Sequence, residues 1–291
     1  MFSYMVYSLL WLFSMLPLKV LYFFSDVCYF FVYRIFKYRR TVVRTNLTNA
    51  FPEKNEREII GIERRYYHHL CDMFIEMYHM WHMSDDAIRR HCVFTNPSVV
   101  NRYFEEGKSV IGVLGHYGNW EWMSSFGLWM PAGVDFFMLY KPLHNRVADR
   151  QVFRLRSHFR ATPVPRNDIL REIIRSRREG RLFLAGFIGD QTPNRNNLHF
   201  WTQFLNQDTP VLLGTEKIAR KFGLPVISLR MRKVKRGYYE VDFVDVCSEP
   251  EKLPEGELTR RHTRLLEEYI REVPELWLWS HKRWKHKRQE E

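Results

Sequence analysis

Residues 109–122 of the chain read SVIGVLGHYGNWEW, an apolar run followed at once by a polar turn. The run from Ser109 to Leu114 has the length and aliphatic content of a buried strand. Asn119 suits the start of a following helix through Trp129, because its side chain accepts hydrogen bonds from unpaired backbone amides. A strand that passes into a helix through a tight turn indicates an α/β fold.

The turn itself holds a histidine and a carboxylate, His116 and Glu121. Glu121 falls in the first helical turn, where the helix dipole favours negative charge. His116 is expected beside backbone N–H groups that have no partner within the helix. A base, a carboxylate to orient it and free amides together suit acyl transfer. The same spacing also arises by chance, and a histidine before a helix often has a structural role, so the rest of the chain must decide.

The remainder of the chain after Ser109 alternates between strand-like and helix-like segments. Such alternation predicts an α/β domain with a mixed, partly parallel central sheet flanked by helices. Catalytic groups in such sheets gather at the carboxyl ends of strands, and His116 directly follows one. Strands are expected at 134–139, 182–187, 225–231 and 238–246, and helices at 145–159, 168–178, 209–222 and 255–271.

The N-terminus is apolar and aromatic, with no charge in the seventeen residues from Phe2 to Leu18. It has no basic segment before it and no small-residue cleavage pattern, so a signal peptide is not predicted. The basic residues from Arg34 to Arg44 indicate that the rest of the chain stays cytoplasmic. We expect residues 1–45 to be an N-terminal membrane anchor of apolar helices and residues 46–291 to be the catalytic domain. Pro17 and two internal charges favour a shallow interfacial anchor over a spanning one, and a buried hairpin of core helices is the alternative.

Composition narrows the class of partner. Lys and Arg exceed Asp and Glu by 45 − 33 = 12, which predicts acidic partners such as nucleic acid, anionic lipid or an acidic carrier protein. Aromatic residues make up 16% of the chain, and many lie in the first eighty residues, which favours a membrane surface over nucleic acid. The four cysteines form no CxxC pair, so neither a disulfide framework nor a zinc site is indicated and a reducing compartment fits.

Histidines are frequent in the helical pattern from Glu56 to Met83, which follows a polar connector at 46–54. His79 and His82 are three residues apart, but no carboxylate or thiolate completes a ligand set at helical spacing. The simpler interpretation is a methionine-rich amphipathic helix, and no metal or other cofactor is predicted.

Several spaced blocks together resemble a known family, the late acyltransferases of lipid A biosynthesis. These lauroyl and myristoyl transferases use acyl carrier protein as donor and fall within the His-x4-Asp/Glu lysophospholipid acyltransferase-like superfamily. The sequence departs from the family at Arg160, where a glycine is usual, and at residues 192–194. The matching blocks are Asn46-Leu47, residues 50–53 (Ala-Phe-Pro-Glu), the Gly-His-x4-Glu turn, residues 140–145 (Tyr-Lys-Pro-Leu-His-Asn), Arg156 with Phe159, residues 189–191 (Gly-Asp-Gln) and residues 277–285.

The resemblance implies a glycerolipid acyltransferase-like fold and an O-acyltransferase that moves a fatty acyl chain from an acyl carrier protein thioester to a hydroxyl of a lipid A precursor. It implies a place on the cytoplasmic face of the inner membrane of a Gram-negative-type bacterium. His116 is the expected general base and Glu121 the residue that orients it. Asp190 is expected to pair with Arg156 or to contact acceptor hydroxyls. The expected substrate-binding residues are Asn119, Tyr140, Asn145, Arg156, Asp190 and Gln191.

A cationic stripe lies in the predicted helix 145–159, where Arg146, Arg150 and Arg154 share one face. It suits lipid A phosphates or the acidic carrier, and a solvated face explains it equally well. A glycerolipid acyltransferase of the same superfamily is the nearest enzymatic alternative, although residues 189–191 replace its usual Phe-Pro-Glu-Gly-Thr-type block. A basic, membrane-tethered binding protein without catalysis is the alternative from another class.

Overall fold

The strand before the histidine turn lies in the middle of the sheet, in a computed structural model that describes residues 9–288. The strands are β1 (Cys92–Phe94), β2 (Val110–Leu114), β3 (Asp135–Tyr140), β4 (Thr162–Pro165), β5 (Phe183–Ile188), β6 (Trp201–Phe204), β7 (Gln207–Pro210), β8 (Val226–Lys235) and β9 (Tyr238–Cys247). Within residues 9–288 the main sheet has seven strands in the order β1-β9-β8-β2-β5-β3-β4, and β6 and β7 form a separate antiparallel hairpin. All neighbours in the main sheet are parallel except β8 and β9, which confirms a mixed, partly parallel sheet.

Helices flank the sheet and fill the N-terminal region. The longest of them, α3 (Glu56–His79), begins with a capping box, in which Asn55 accepts a hydrogen bond from the Glu58 amide and Glu58 accepts one from the Asn55 amide. The helices are α1 (Leu18–Tyr29), α2 (Arg40–Ala50), α3 (Glu56–His79), α4 (Asp85–His91), α5 (Ser98–Glu105), α6 (Arg146–Ser157), α7 (Ile169–Arg178), α8 (Gly214–Phe222) and α9 (Glu257–Glu272).

Three predicted segments differ from the structure. Residues Trp120–Leu128 form a 3₁₀ helix rather than an α-helix, and Asn119 provides no side-chain cap. The predicted helix 209–222 begins only at Gly214, because its first residues belong to β7. The predicted connector 46–54 is wrong, since its first five residues complete α2, and three of them (Asn46, Leu47 and Ala50) are buried. Periodicity read along the chain misses these cases because long-range packing decides them.

The core has three clusters, and β2 contributes to the two that lie against the sheet. Val110 packs with the cluster that contains Trp122 and Phe126, whereas Ile111 and Val113 pack with the cluster on the other face. The alternation of side chains along a strand produces this division. A third cluster joins α2 and α3 to the C-terminal residues 276–279. The turn after β2 is therefore supported from both faces of the sheet.

The N-terminal helices present an apolar surface to the exterior. Fourteen of the twenty-one exposed large apolar residues within 9–288 lie between Leu9 and Tyr38, and we call these fourteen the N-terminal apolar surface. A patch of this kind marks an interaction site rather than scattered surface residues. In residues 9–288, no helix is both long and apolar enough to cross a membrane. Residues 1–8 of the predicted anchor and residues 289–291 lie outside the described part of the chain.

The opposite side of α1 is fixed to the rest of the protein by polar contacts. Tyr22 donates a hydrogen bond to Glu76 (2.8 Å) and Ser25 donates one to Asp72 (2.7 Å). Arg236 forms ion pairs with both Asp26 and Asp72. Because Glu76 and Asp72 are buried in α3, these contacts hold α1 in one orientation with its apolar side outward.

Candidate active site

His116 and Asp190 meet because two parallel strands end together. Leu114 and Ile188 are partners in the β2–β5 register, and His116 and Asp190 each lie two residues further on. Parallel strands deliver the residues that follow them to the same edge of a sheet. The histidine turn therefore faces the turn after β5.

Asp190 holds the histidine on two sides. Its Oδ1 lies 2.6 Å from His116 Nδ1, and its Oδ2 accepts hydrogen bonds from the His116 amide and from Trp277 Nε1, both at 2.8 Å. Burial alone raises the pKa of Asp190, but attraction to His116 and the hydrogen bonds from His116 and Trp277 lower it to about 2. The ionised carboxylate keeps the proton on Nδ1, which leaves Nε2 as the basic nitrogen of the imidazole.

Glu121 does not hold the imidazole, which corrects the expected pairing. Both of its oxygens accept hydrogen bonds from Arg156, Nε to Oε2 at 2.8 Å and Nη2 to Oε1 at 2.7 Å. A guanidinium fork matches a carboxylate in two places, so it binds a buried carboxylate more strongly than one imidazole N–H does. The expected contact between Asp190 and Arg156 is also replaced, since Asp190 bonds His116 and Trp277.

The Arg156–Glu121 ion pair is largely shielded from solvent, with 17% of the Arg156 side chain and 9% of the Glu121 side chain exposed. Burial raises the pKa of the Glu121 carboxyl, but Arg156 outweighs this effect and holds the pKa below its usual value. Burial lowers the pKa of Arg156, and Glu121 in turn raises it above its usual value. The guanidinium Nη1 takes no part in the bidentate contact, and the group lies 5.9 Å from the centre of the Tyr140 ring.

Trp120 connects the two pairs. Its ring meets the His116 ring edge-on, with 5.1 Å between centroids, and its Nε1 donates a hydrogen bond to Glu121 Oε1 at 3.2 Å. Histidine, tryptophan, glutamate and arginine thus form a continuous group at one edge of the sheet. Nothing in the residue spacing indicates this role for Trp120 except its position between His116 and Glu121.

Of the other predicted site residues, Gln191 and Tyr140 lie beside His116 and Arg156, whereas Asn145 and Asn119 make contacts within the fold. Gln191 Nε2 lies 3.2 Å from His116 Nε2, so Gln191 adjoins the basic nitrogen. Tyr140 ends β3 and lies beside Arg156. Asn145 caps α6 by accepting hydrogen bonds from two amides. Asn119 is completely buried and donates to Glu76 (2.8 Å).

The C-terminal tryptophans support the site, although tryptophans mixed with basic residues, as in residues 277–288, are typical of a membrane interface. Trp277 and Trp279 are buried in the third core cluster, so that interpretation is wrong for both. Residues beside them bond directly to the histidine turn, Leu278 N–H to the His116 carbonyl and Gly118 N–H to the Leu276 carbonyl. Sequence spacing carries no signal of these contacts, because they join residues far apart in the chain.

The two glycines of the turn lie close to neighbouring side chains. A Cβ at Gly115 would lie 2.6 Å from Leu266, and a Cβ at Gly118 would lie 2.7 Å from Met231 Sδ. Gly118 also has a φ of +65°, which side-chain-bearing residues rarely adopt. The glycines let the turn fit closely between α9 and β8.

The histidines that suggested a metal site contact the N-terminal helical residues instead. His79 Nδ1 lies 3.0 Å from the Ser14 carbonyl, and His82 Nε2 lies 3.0 Å from Ser14 Oγ. No group of three metal-ligating side chains occurs in the described residues 9–288.

Comparison with known proteins shows a match to one family over nearly the whole chain. The model of the family described as bacterial lipid A biosynthesis acyltransferase matches residues 1–286. The chain is 24% identical over 281 residues to the lipid A biosynthesis palmitoleoyltransferase of Escherichia coli (strain K12), covering 96% of this chain and 89% of that one. The lipid A biosynthesis acyltransferase of Shigella flexneri matches with the same identity and coverage.

Proposed function

Because the chain belongs to the bacterial lipid A biosynthesis acyltransferase family and is therefore an acyltransferase, we propose that it transfers a fatty acyl chain from acyl carrier protein to a hydroxyl of a lipid A precursor. The observation that carries this proposal is the His116–Asp190 contact, which leaves Nε2 as the basic nitrogen at an edge of the sheet. An imidazole held in this way suits the removal of a proton from an alcohol.

The proposed reaction needs one base and no covalent enzyme intermediate. His116 Nε2 takes the proton of the acceptor hydroxyl as its oxygen attacks the thioester carbonyl. The tetrahedral intermediate collapses, the C–S bond breaks, and the imidazolium returns the proton to the departing thiolate. Asp190 stabilises the imidazolium between these steps. General-base help contributes about 10²–10⁴ in rate, and alignment of two bound lipids offers effective molarities of about 10⁵–10⁸ M.

Arg156 is the group that we assign to the developing oxyanion. Its Nη1 is outside the ion pair with Glu121, and Trp120 links that pair to the imidazole. A fixed positive charge close to a developing oxyanion stabilises the transition state more than the ground state. Glu121 then acts as a positioning residue that fixes the guanidinium rather than the base.

A direct transfer experiment tests the reaction. We expect purified protein with a saturated acyl carrier protein thioester to add one acyl chain to a lipid A precursor, seen as the matching mass increase by mass spectrometry. A lysophospholipid with the same donor is the matched acceptor and is expected to stay unmodified. Acylation of the lysophospholipid but not of the lipid A precursor would favour the glycerolipid alternative and contradict the proposal.

We assign the N-terminal apolar surface to membrane binding, on the cytoplasmic face of the inner membrane of a Gram-negative-type bacterium. Phe23 and Phe36 are 65% and 72% exposed on this surface. Their side chains can therefore be buried in a bilayer interface without unfolding of α1. The proposed anchor of residues 1–45 extends into α2, whereas this surface ends at Tyr38.

Replacing both phenylalanines by serine is expected to weaken membrane binding about tenfold or more, since each loses most of its apolar transfer free energy. Binding is measured by co-sedimentation with phosphatidylethanolamine–phosphatidylglycerol vesicles. The control is Leu170→Ser with Ile174→Ser, two exposed apolar residues of α7. Equal binding by all three proteins would refute the assignment of this surface.

The cationic face of α6 is the proposed docking surface for the acidic carrier. Arg146, Arg150 and Arg154 are exposed, and no ion pair within residues 9–288 neutralises them. Charges of this kind steer an oppositely charged partner, and salt screens the effect.

Arg150→Glu with Arg154→Glu is expected to raise KM for the carrier-bound donor about tenfold at low salt and to leave KM for an acyl-CoA donor nearly unchanged. Added salt should raise KM for the carrier-bound donor in the unmodified protein. The difference in this KM between the unmodified protein and the variant should therefore become smaller. The control carries the same charge change on α8, Lys217→Glu with Lys221→Glu. A similar KM increase for both donors would contradict carrier docking on α6.

A further inference from the structure

A wide groove runs between α2, the β6–β7 hairpin and the C-terminal residues 282–288. Its volume is about 1470 Å³. The lining is strongly cationic, and within the described residues its one acid is Asp208, which already accepts a hydrogen bond from Gln203. The cations that line it are Arg195, Lys282, Lys285, Lys287 and Arg288.

These five cations lack the ion pairs that the protein forms elsewhere. No carboxylate of residues 9–288 lies within salt-bridge distance of any of them, whereas Arg230, Arg232 and Arg236 of the β8–β9 hairpin are all paired. Like charges that gather in a concave surface repel one another and concentrate a positive potential there. Binding of an anion relieves that repulsion, so the groove is electrostatically prepared for a multiply charged anionic group.

Two indole rings add a second kind of recognition. Trp201 and Trp284 line the groove and are half-buried. Their N–H groups already donate to the Leu198 carbonyl (3.0 Å) and to Thr209 Oγ1 (2.7 Å), so what the rings offer a ligand is aromatic surface. Aromatic surface packs against the apolar faces of sugar rings, and the hydroxyl and amide groups of α2 along the same groove suit sugar hydroxyls. The cations of the groove suit phosphate groups and its indole rings suit sugar rings, so the lining as a whole suits a phosphorylated sugar.

The groove lies between the catalytic histidine and the membrane-facing surface. At one end, Thr192 Oγ1 donates to the carbonyls of Lys282 (2.9 Å) and Arg283 (2.7 Å), and Thr192 directly follows Gln191, which contacts His116. At the other end, the lining residues Thr41 and Thr45 of α2 come just after the exposed Phe36 and Tyr38. One end of the groove thus adjoins the segment that contacts His116, and the other end follows the N-terminal apolar surface along the chain.

We infer that this groove binds the phosphorylated sugar headgroup of the lipid acceptor, an inference that rests on the proposed acyl transfer to a lipid A precursor. The groove gives the acceptor a site separate from α6, where the carrier is proposed to dock. Separate sites allow both substrates to be bound at once, as direct transfer without an acyl-enzyme requires.

The test is a charge reversal in the groove, Lys285→Glu with Lys287→Glu, both exposed and therefore compatible with folding. We expect KM for the phosphorylated acceptor to rise about tenfold, because two attractive contacts become repulsive. The kcat and the KM for the carrier-bound donor are expected to stay within about twofold. With an enzymatically dephosphorylated acceptor, variant and unmodified protein should have nearly equal KM. Lys217→Glu with Lys221→Glu is the control of equal charge change.

Other outcomes overturn the inference. An unchanged KM for the phosphorylated acceptor, or no preference of the unmodified protein for phosphorylated over dephosphorylated acceptor, would remove the headgroup site. A raised KM for the donor alone would make the groove a carrier surface. Inhibition by inorganic pyrophosphate at concentrations near the acceptor KM would indicate a site for free phosphates rather than for a headgroup.

A binding measurement separates this inference from the proposed function. Neutral phosphatidylcholine vesicles that carry the lipid A precursor should retain the unmodified protein more strongly than the Lys285/Lys287 variant, with no donor present. If the unmodified protein binds in this way but transfers no acyl chain, the proposed function fails and the groove stands. If transfer proceeds and both proteins bind these vesicles equally, the groove assignment fails alone.

Discussion

Replacing His116 by alanine is expected to lower the single-turnover rate of acyl transfer about 10³-fold or more. The variant loses the base and keeps only binding and alignment of the substrates. Donor and acceptor affinities should change little, because no binding role is assigned to the imidazole. The measurement is transfer of a radiolabelled acyl chain at saturating enzyme, with folding checked by circular dichroism.

The control for this substitution is His144→Ala, an exposed histidine without an assigned role, which should turn over normally. The double variant with Asp190→Asn should be little slower than His116→Ala alone, because Asp190 acts through the imidazole. A folded His116→Ala protein with near-normal turnover would return the turn to a purely structural role.

Asp190→Asn is expected to reduce the rate about 10³-fold while both substrates still bind. A neutral amide does not stabilise the imidazolium, and its N–H group facing Nδ1 favours the tautomer that has its proton on Nε2. In serine proteases the corresponding change lowers kcat by about 10⁴ for the same reason. The measurement is again the single-turnover rate, followed as a function of pH.

Glu121→Gln provides the comparison that distinguishes the two carboxylates. It leaves the His116–Asp190 contact intact and weakens only the hold on Arg156, so its pH profile should keep the shape of the unmodified protein. The Asp190→Asn profile should change shape, because the protonated imidazole loses its counter-charge. A normal rate for Asp190→Asn together with a reshaped profile for Glu121→Gln would restore the original pairing of Glu121 with His116.

The sequence predicts the elements around the site better than it predicts the contacts within it. The strand before His116 is evident from its apolar run and flanking glycines, and most later strands and helices follow their periodicity. Proximity in the chain favours Glu121 as the partner of His116. Asp190 lies 74 residues from His116 in the chain. Only the register of β2 and β5 shows that the two side chains meet, because His116 and Asp190 each lie two residues beyond the end of their strand.

Other departures have the same physical origin. Trp277 and Trp279 are mixed with basic residues as at a membrane interface, yet they fill the space under the histidine turn. Asn46 reads as part of a polar connector, but its side chain donates to the carbonyls of Trp279 and His281. The local sequence shows which environments a side chain is compatible with. Contacts with residues far along the chain determine whether a given tryptophan or asparagine is buried.

The contacts that hold His116 join three distant parts of the chain, so they form late in synthesis. The histidine emerges first, its carboxylate follows 74 residues later, and Trp277, which fixes that carboxylate, follows 87 residues after it. A nascent chain on the ribosome therefore carries an unoriented imidazole until the C-terminal segment has been released and packed. Contacts of such long sequence separation form slowly during folding. We therefore expect a chain that ends before Trp277 to lack one of the two N–H groups that fix Asp190 Oδ2, and to hold the imidazole less firmly.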